Sequence, residues 1–300
     1  MQEKVAIVVP THKGKLTPSE KNSLDSLQQH LDRYDKFLVF PKGLVFDWDT
    51  SSFTKKEFSK RRFKSVDAYC RMCLDPRFYE HFKDYEYLLF FQPDCIIFKD
   101  DLAYWCEQGF SYIGAPWVQK FPFSKLINSL SKAVFNRSIK SKLVYKGLVG
   151  NGGLSLRCVE DSIKLLKEDF KLIRFLPRVA FHLKKREMRN FLLSLFSVYS
   201  IRINYSIGKI ARLISYSDEQ KKQEGKKNKA PIPEDAIFCS LGLMNKKFFK
   251  IPGYDEALKF SIEAEGSLKH LKQKPFGAHN IFDGDEVNEK YTRQFSKVEV

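Results

Sequence analysis

The sequence predicts an α/β fold built around buried parallel strands. Short apolar runs predict strands at Val5 to Val9, Lys36 to Pro41 and Leu88 to Phe91, because the strands of a parallel sheet are buried on both faces. Between the first two runs, apolar residues recur at helical spacing over Ser19 to Leu31. A strand, a helix and a strand in this order indicate a right-handed βαβ unit and a parallel sheet.

Positive charge is concentrated in two segments of the chain. The formal net charge is +16; residues 119–147 contain seven basic and no acidic residues, and residues 168–229 contain fifteen basic and six acidic residues. The rest of the chain is therefore neutral overall. A protein that holds nucleic acid across its fold is expected to spread its charge differently, so nucleic-acid binding is the weaker alternative.

Apolar and basic residues alternate at helical spacing in both of these segments. This pattern predicts basic amphipathic helices that contact a membrane surface. A solvated helical face or a clamp on an anionic polymer would have a similar pattern. The chain shows neither a signal-peptide pattern nor a charge-free run of the roughly 20 residues that span a bilayer. We therefore expect a cytoplasmic protein at the inner face of the cytoplasmic membrane.

A carboxylate follows the central predicted strand. Gln92, Pro93 and Asp94 come directly after the apolar run that ends at Phe91. Burying an unpaired charge costs several kcal/mol, so Asp94 should have a metal ion, a basic side chain or backbone donors as its partner. Open α/β sheets bind ligands at the carboxyl ends of their strands, which makes Asp94 the first predicted site residue.

Other candidate residues follow strands or loops. Thr11 and His12 come after the first strand and are expected at the same edge as Asp94. His12 is either a ligand contact or a solvated loop residue. Trp117 ends a Gly-Ala-Pro-Trp loop, where its indole is either a sugar-stacking platform or a core anchor.

A glycine-rich turn, VGNGGLSLR, spans Val149 to Arg157. Gly152 and Gly153 permit backbone conformations and close approaches that a side chain would forbid. A tight hairpin explains such a turn about as well as a ligand site does. The interpretation therefore depends on the motifs that accompany the turn.

Two more motifs lie towards the end of the chain. Glu234 and Asp235 stand at the start of a predicted helix, where the helix dipole favours acidic residues and where a carboxylate can also act as a general base. His279 follows Gly277 in KPFGAHNIF. A loop histidine is either structural, solvated or a metal ligand.

Taken in order, these motifs resemble those of the metal-dependent nucleotide-sugar glycosyltransferases of the GT-A fold. In that family an Asp-x-Asp motif, a glycine loop, an x-Glu-Asp motif and a C-terminal His surround the sugar diphosphate. The set QPD, GAPW, GNGGLSLR, ED and PFGAH is most similar to a bacterial glycosyltransferase-like family described as a domain of unknown function. The resemblance implies one GT-A-like domain over 1–300, with a central mixed sheet flanked by helices and basic helical insertions at about 119–147 and 168–229.

The resemblance also implies a role for each residue. Asp94 matches the metal-binding second Asp of Asp-x-Asp, His279 matches the C-terminal metal ligand, and Gln92 replaces the first Asp. Asp235 is the expected catalytic base, with Glu234 as second choice. The expected donor-binding residues are Thr11, His12, Gln92, Asp94, Gly152 and Gly153, and the expected acceptor-binding residue is Trp117. Diphosphate oxygens and water would complete the octahedral shell of Mn²⁺ or Mg²⁺.

The resemblance implies the transfer of a sugar from a nucleotide-sugar donor to a glycan or lipid-linked acceptor. The resemblance implies a place in bacterial surface polysaccharide synthesis, such as O-antigen or capsule. The main alternative is a catalytically inactive protein that binds carbohydrate or nucleotide sugars, because Gln92 replaces a carboxylate. A nucleic-acid-binding protein is the weaker alternative, and no nucleic-acid partner is expected.

Overall fold

A computed structural model describes residues 4–116, 149–167, 234–235, 238–239, 242, 245–263 and 273–280. The helices are α1 (Pro18–Leu31), α2 (Val66–Cys73), α3 (Pro76–Glu80), α4 (Leu102–Glu107) and α5 (Tyr254–Phe260). The strands are β1 (Val5–Pro10), β2 (Asp35–Pro41), β3 (Thr54–Phe58), β4 (Tyr87–Phe91), β5 (Cys95–Ile97), β6 (Tyr112–Gly114), β7 (Leu154–Cys158), β8 (Ser261–Glu263) and β9 (Gly277–His279). Residues 159–167 are also helical.

The central sheet has the strand order β3-β2-β1-β4-β7-β6. Strands β3, β2, β1 and β4 run parallel. Strand β7 is antiparallel to both β4 and β6. The sheet is therefore mixed, and the carboxyl ends of its four parallel strands share one edge.

Both faces of this sheet are covered, which explains the continuous apolar runs in the sequence. Alternate residues of β1 lie in different core clusters, with Val8 on the face covered by α2 and α3 and Ile7 on the face covered by α1 and α4. The fold is thus a mixed α/β Rossmann-type fold, with a central mixed sheet flanked by helices. The fold class predicted from the sequence is confirmed.

Helix starts follow from local side-chain chemistry. The Thr17 side chain accepts a hydrogen bond from the backbone N–H of Glu20, and the Glu20 carboxylate accepts one from the N–H of Thr17. This reciprocal capping box fixes the start of α1. Ser65 caps α2 by accepting from the N–H of Ala68.

A second, three-stranded sheet has the order β5-β9-β8. Strand β9 is antiparallel to β5 and parallel to β8. This small sheet brings the late segment Gly277–His279 beside the residues that follow β4. It therefore links the end of the described chain to the carboxyl edge of the central sheet.

The polar segment before α2, where no strand was predicted, contains strand β3. Its residues are mostly exposed, because β3 is the edge strand of the central sheet. The basic segments 119–147 and 168–229 lie outside the described residues. Within the described chain, no helix combines the length and the hydrophobicity that crossing a bilayer requires.

Candidate functional site

Asp94 and His279 meet at the carboxyl edge of the sheet. Asp94 lies in the turn between β4 and β5, and His279 ends β9, which pairs with β5. The Nε2 atom of His279 lies 3.3 Å from Oδ1 of Asp94. The backbone N–H of Asn280 also donates to the carbonyl oxygen of Asp94 at 3.1 Å. The two predicted metal ligands, far apart in the sequence, are therefore neighbours.

His279 has a carboxylate on its other side. Glu263 lies opposite His279 in the β8–β9 ladder, and its Oε1 atom is 3.8 Å from Nδ1 of the imidazole. Gln92 Oε1 lies 3.3 Å from Nε2. Glu263 was not predicted as a site residue, because a single acid in a three-residue strand has no motif of its own. The pairing of β8 with β9 is what brings it to the site.

These contacts shift the pKa values of both His279 and Asp94. Burial disfavours the imidazolium form of His279, but the carboxylates of Asp94 and Glu263 outweigh burial and raise its pKa to about 9. Burial likewise opposes ionisation of Asp94, whereas the adjacent imidazole lowers the pKa of that carboxyl below its usual value. In the free protein the pair is therefore ionic at neutral pH.

Gly153 makes room for the imidazole ring. A Cβ atom on Gly153 would stand 2.1 Å from both Nε2 and Cδ2 of His279. The turn is braced by the N–H of Gln92, which donates to the carbonyl of Gly153 at 2.9 Å. The left-handed residue of the turn is Asn151, with φ 75°, rather than a glycine. The glycine is thus explained by close approach to His279, and contact with a donor sugar stays a prediction.

Arg157 and Glu234 form a buried ion pair behind the turn. Their side chains are 0% and 7% exposed, and Nη2 of Arg157 lies 3.4 Å from Oε1 of Glu234. The guanidinium also donates to the Tyr79 hydroxyl at 3.0 Å and lies 3.8 Å from the Phe90 ring centroid. The Cys70 thiol donates to the other oxygen of Glu234 at 3.2 Å. Both carboxylate oxygens of Glu234 are therefore bound by buried side chains of the protein itself.

Asp235 lies on the glycine turn itself. Its Oδ2 atom accepts hydrogen bonds from the backbone N–H groups of Asn151, at 3.1 Å, and Gly152, at 3.3 Å. The residue is only partly buried, in contrast to Glu234. Of the two predicted base candidates, Asp235 is the one that borders the site through the turn. Its catalytic role stays a prediction.

The structure places the remaining predicted residues as follows. Thr11 is buried at the end of β1, where its hydroxyl oxygen accepts from the N–H of Lys13 at 3.2 Å. His12 is exposed in the same loop. Lys13 is near enough to Asp94 for its charge to help lower the carboxyl pKa. The loop after β1 therefore borders the site, as expected, whereas Trp117 lies outside the described residues.

The donor atoms at Asp94 and His279 fit a divalent cation. Within the described chain, Oδ1 of Asp94 is buried and makes no hydrogen bond, and it faces Nε2 of His279 at 3.3 Å. The ligand atoms of Asp94, Cys95 and His279 lie within 4.8 Å of one another. A carboxylate beside an imidazole suits Mn²⁺ or a related ion, and Glu263 would orient the imidazole from behind, as carboxylates do in many metal sites.

Comparison with known proteins gives a family match and partial structural similarity. Residues 52–279 match the model of a family described as "Protein of unknown function (DUF5672)". Curated proteins gave no match. The chain is similar to the X-ray structure of the mannosyltransferase Ktr4p from S. cerevisiae, with a TM-score of 0.36 and 10% identity over 55% of this chain and 60% of that chain.

The complex of the same yeast protein with GDP gives a TM-score of 0.34 and 11% identity, over 56% of this chain and 62% of that chain. The chain thus covers about three fifths of the length of the solved structures that it matches.

Proposed function

We propose that this protein, which belongs to the DUF5672 family through residues 52–279, is a metal-dependent glycosyltransferase. It would move a sugar from a nucleotide-sugar donor to a hydroxyl of a glycan or lipid-linked acceptor. The observation that supports this proposal is the convergence of Asp94 and His279, 3.3 Å apart, at the ligand edge of an α/β sheet. Bacterial polysaccharide synthesis is the setting that the motif resemblance implies.

In this proposal Asp94 and Nε2 of His279 would hold the cation, and the Glu263 carboxylate, 3.8 Å from Nδ1, would favour the tautomer that carries its proton on Nδ1. When bound, a divalent cation neutralises the donor diphosphate and stabilises the nucleoside diphosphate as a leaving group. Gly153 keeps space for the imidazole in this arrangement. Asp94 and His279 would thereby fix the position of the diphosphate relative to the glycine turn.

Asp235 would act as the general base. The bond between the anomeric carbon and the phosphate oxygen breaks, a bond to the acceptor oxygen forms, and Asp235 takes the acceptor proton. The backbone N–H groups of Asn151 and Gly152 hold the carboxylate in place. Because Gly153 contacts His279 and Gly152 contacts Asp235, one turn would position both the metal ligand and the base.

A second candidate function is non-catalytic binding of a nucleotide sugar. It is favoured by Gln92, whose side-chain oxygen lies 3.3 Å from the Nε2 atom of His279 that would bind the metal. Membrane contact through the segments 119–147 and 168–229 remains a separate prediction, because these segments lie outside the described residues.

Turnover of a donor panel separates the two candidates. A purified enzyme should release nucleoside diphosphate from one of the nucleotide sugars when Mn²⁺ or Mg²⁺ is present, and addition of EDTA should stop the release. Slow hydrolysis to water allows this test without a known acceptor. Metal-dependent binding without any release, with every acceptor class tested, would instead favour the binding protein.

A further inference from the structure

A cationic cleft lies at the carboxyl edge of the central sheet, at a distance from Asp94 and His279 along that edge. It has a volume of about 760 Å³ and is lined by Lys42, Glu57, Phe58, Ser59, Lys60, Arg61 and Lys64. We use the term cationic cleft for this surface. Four of the seven lining side chains are cationic and one is a carboxylate. Outside the two basic segments the chain is neutral overall, so this is a local concentration of positive charge.

The basic side chains of one short turn lie in two different environments. In the 3₁₀ turn Lys60–Phe63, Arg62 points inward and pairs with Asp75 at 2.8 Å. Lys60 and Arg61 line the cleft instead. In the described part of the chain, no cation of the cleft forms an ion pair. Glu57 offsets only part of this positive charge, so solvent, salt or an anionic ligand must relieve the remaining repulsion.

The backbone defines the walls of the cleft. The N–H of Lys42 donates to the carbonyl of Phe58 at 2.8 Å, which extends the pairing of β2 and β3 beyond the strand ends. Gly43 follows with φ +74°, and the position of a Cβ on it would be 3.9 Å from Nζ of Lys60. The ammonium group of Lys60 thus lies over a glycine turn, and the cleft joins the end of β2 to the segment after β3.

The cleft is too far from Asp94 to be part of the same phosphate site. It follows the ends of β2 and β3, whereas Asp94 follows β4, and β1 lies between β2 and β4. Neighbouring strands are about 4.8 Å apart, so the cleft lies on the order of 10–15 Å from Asp94 along the edge. A diphosphate held at Asp94 cannot also fill the cleft, but a longer ligand or a second ligand can.

We propose that the cationic cleft is a binding site for a phosphate-bearing ligand group, separate from the donor diphosphate site at Asp94 and His279. Lys and Arg side chains bind phosphate oxygens through short charge-assisted hydrogen bonds. Phe58 adds an apolar wall against which a sugar or a base can pack. The ligand group is a phosphate ester outside the donor diphosphate, such as that of a phosphorylated acceptor. Phosphate binding in the cleft is independent of the proposed transferase activity, whereas the identification of the ligand as an acceptor rests on that proposed function.

Titration calorimetry with inorganic pyrophosphate tests the cleft directly. The full chain carrying Asp94→Asn is used in EDTA, which removes metal-dependent binding elsewhere. The test variant adds Lys60→Gln, Arg61→Gln and Lys64→Gln. We expect its affinity for pyrophosphate to fall by about tenfold or more, because three charge-assisted contacts are lost.

A charge-matched control distinguishes specific binding in the cleft from an effect of the protein's net charge. Lys83, Lys246 and Lys247 are exposed and flank the amino-terminal edge of the sheet, so their triple change to Gln should alter affinity by no more than about twofold. The single change Arg61→Gln provides a second test if the triple variant does not fold. Unchanged affinity in the cleft variants, or an equal loss in the control, would overturn the proposal.

Further ligands identify the source of the phosphate. In the same background, loss of sugar 1-phosphate binding in the cleft variant indicates a phosphorylated acceptor. Loss of nucleoside diphosphate binding alone would place the donor phosphates in the cleft and would overturn the proposal of a separate site. If neither compound nor pyrophosphate binds the Asp94→Asn protein at low salt, the cleft is not a phosphate site.

Discussion

The imidazole of His279 occupies the space that a side chain on Gly153 would need. A Cβ on Gly153 would stand 2.1 Å from Nε2, the same atom that faces Asp94 at 3.3 Å. The glycine turn and the proposed metal site are therefore one structural unit. Their dependence on each other can be measured.

Replacing Gly153 with Ala should displace His279 and weaken metal binding. We expect Mn²⁺ affinity to fall by about tenfold or more, as for other changes that misplace a ligand, measured by electron paramagnetic resonance of free Mn²⁺. In a His279→Ala background the same change should cost little additional affinity. Gly253→Ala is the control, because no atom lies within 4 Å of a Cβ there. Equal losses with and without His279 would disprove the coupling.

Replacing Glu234 with Gln should destabilise the fold. The change leaves the fully buried Arg157 guanidinium without its anionic partner, which typically costs about 3–5 kcal/mol. The free energy of unfolding from urea titration measures this loss. Glu107→Gln, at an exposed helix position, should change it by less than about 0.5 kcal/mol. A Glu234→Gln protein as stable as the wild type would show that the ion pair contributes little.

Replacing Asp235 with Asn should affect chemistry more than binding. The amide keeps an oxygen that can accept from the N–H groups of Asn151 and Gly152 but can no longer take an acceptor proton. We expect kcat for transfer to fall by about 10²–10⁴-fold with donor affinity nearly unchanged. Normal transfer by this variant would reject Asp235 as the base.

The metal-free protein should lose stability as the pH rises through the titration of His279. Its pKa is raised from 6.5 to about 9 in the folded state, so the imidazolium contributes fully below pH 6.5 and progressively less up to about pH 9. Urea unfolding in EDTA at several pH values should show this decline. The decline should be smaller in Glu263→Gln, which lacks one of the two carboxylates. Parallel pH profiles for Glu263→Gln and the wild type would contradict the assigned cause.

The main strands were predictable because local patterns specify them. Strands β1, β2 and β4 are buried on both faces and appear as continuous apolar runs. Strand β3 was missed because its polar residues at the sheet edge resemble a loop. Periodicity in a single segment cannot reveal an edge strand that is stabilised by its neighbour alone.

The site was only partly predictable from the sequence. The motifs around Asp94 and His279 indicated a common role, and the structure places the two side chains together. Glu263 and the burial of Arg157 were not foreseen, because each depends on a long-range partner: His279 for Glu263 and Glu234 for Arg157. Gly153 was recognised as a position of close approach, but its neighbour is His279.

Metal-linked nucleotide binding tests the central claim most directly. Calorimetry with a panel of nucleoside diphosphates, with and without Mn²⁺, compares the wild type with Asp94→Ala and His279→Ala. We expect one nucleotide to bind the wild type with an affinity at least about tenfold higher in Mn²⁺ than in EDTA, and each variant to lose this difference. Binding that is equally tight in EDTA, or that keeps its full Mn²⁺ dependence in both variants, would contradict a cation site formed by Asp94 and His279.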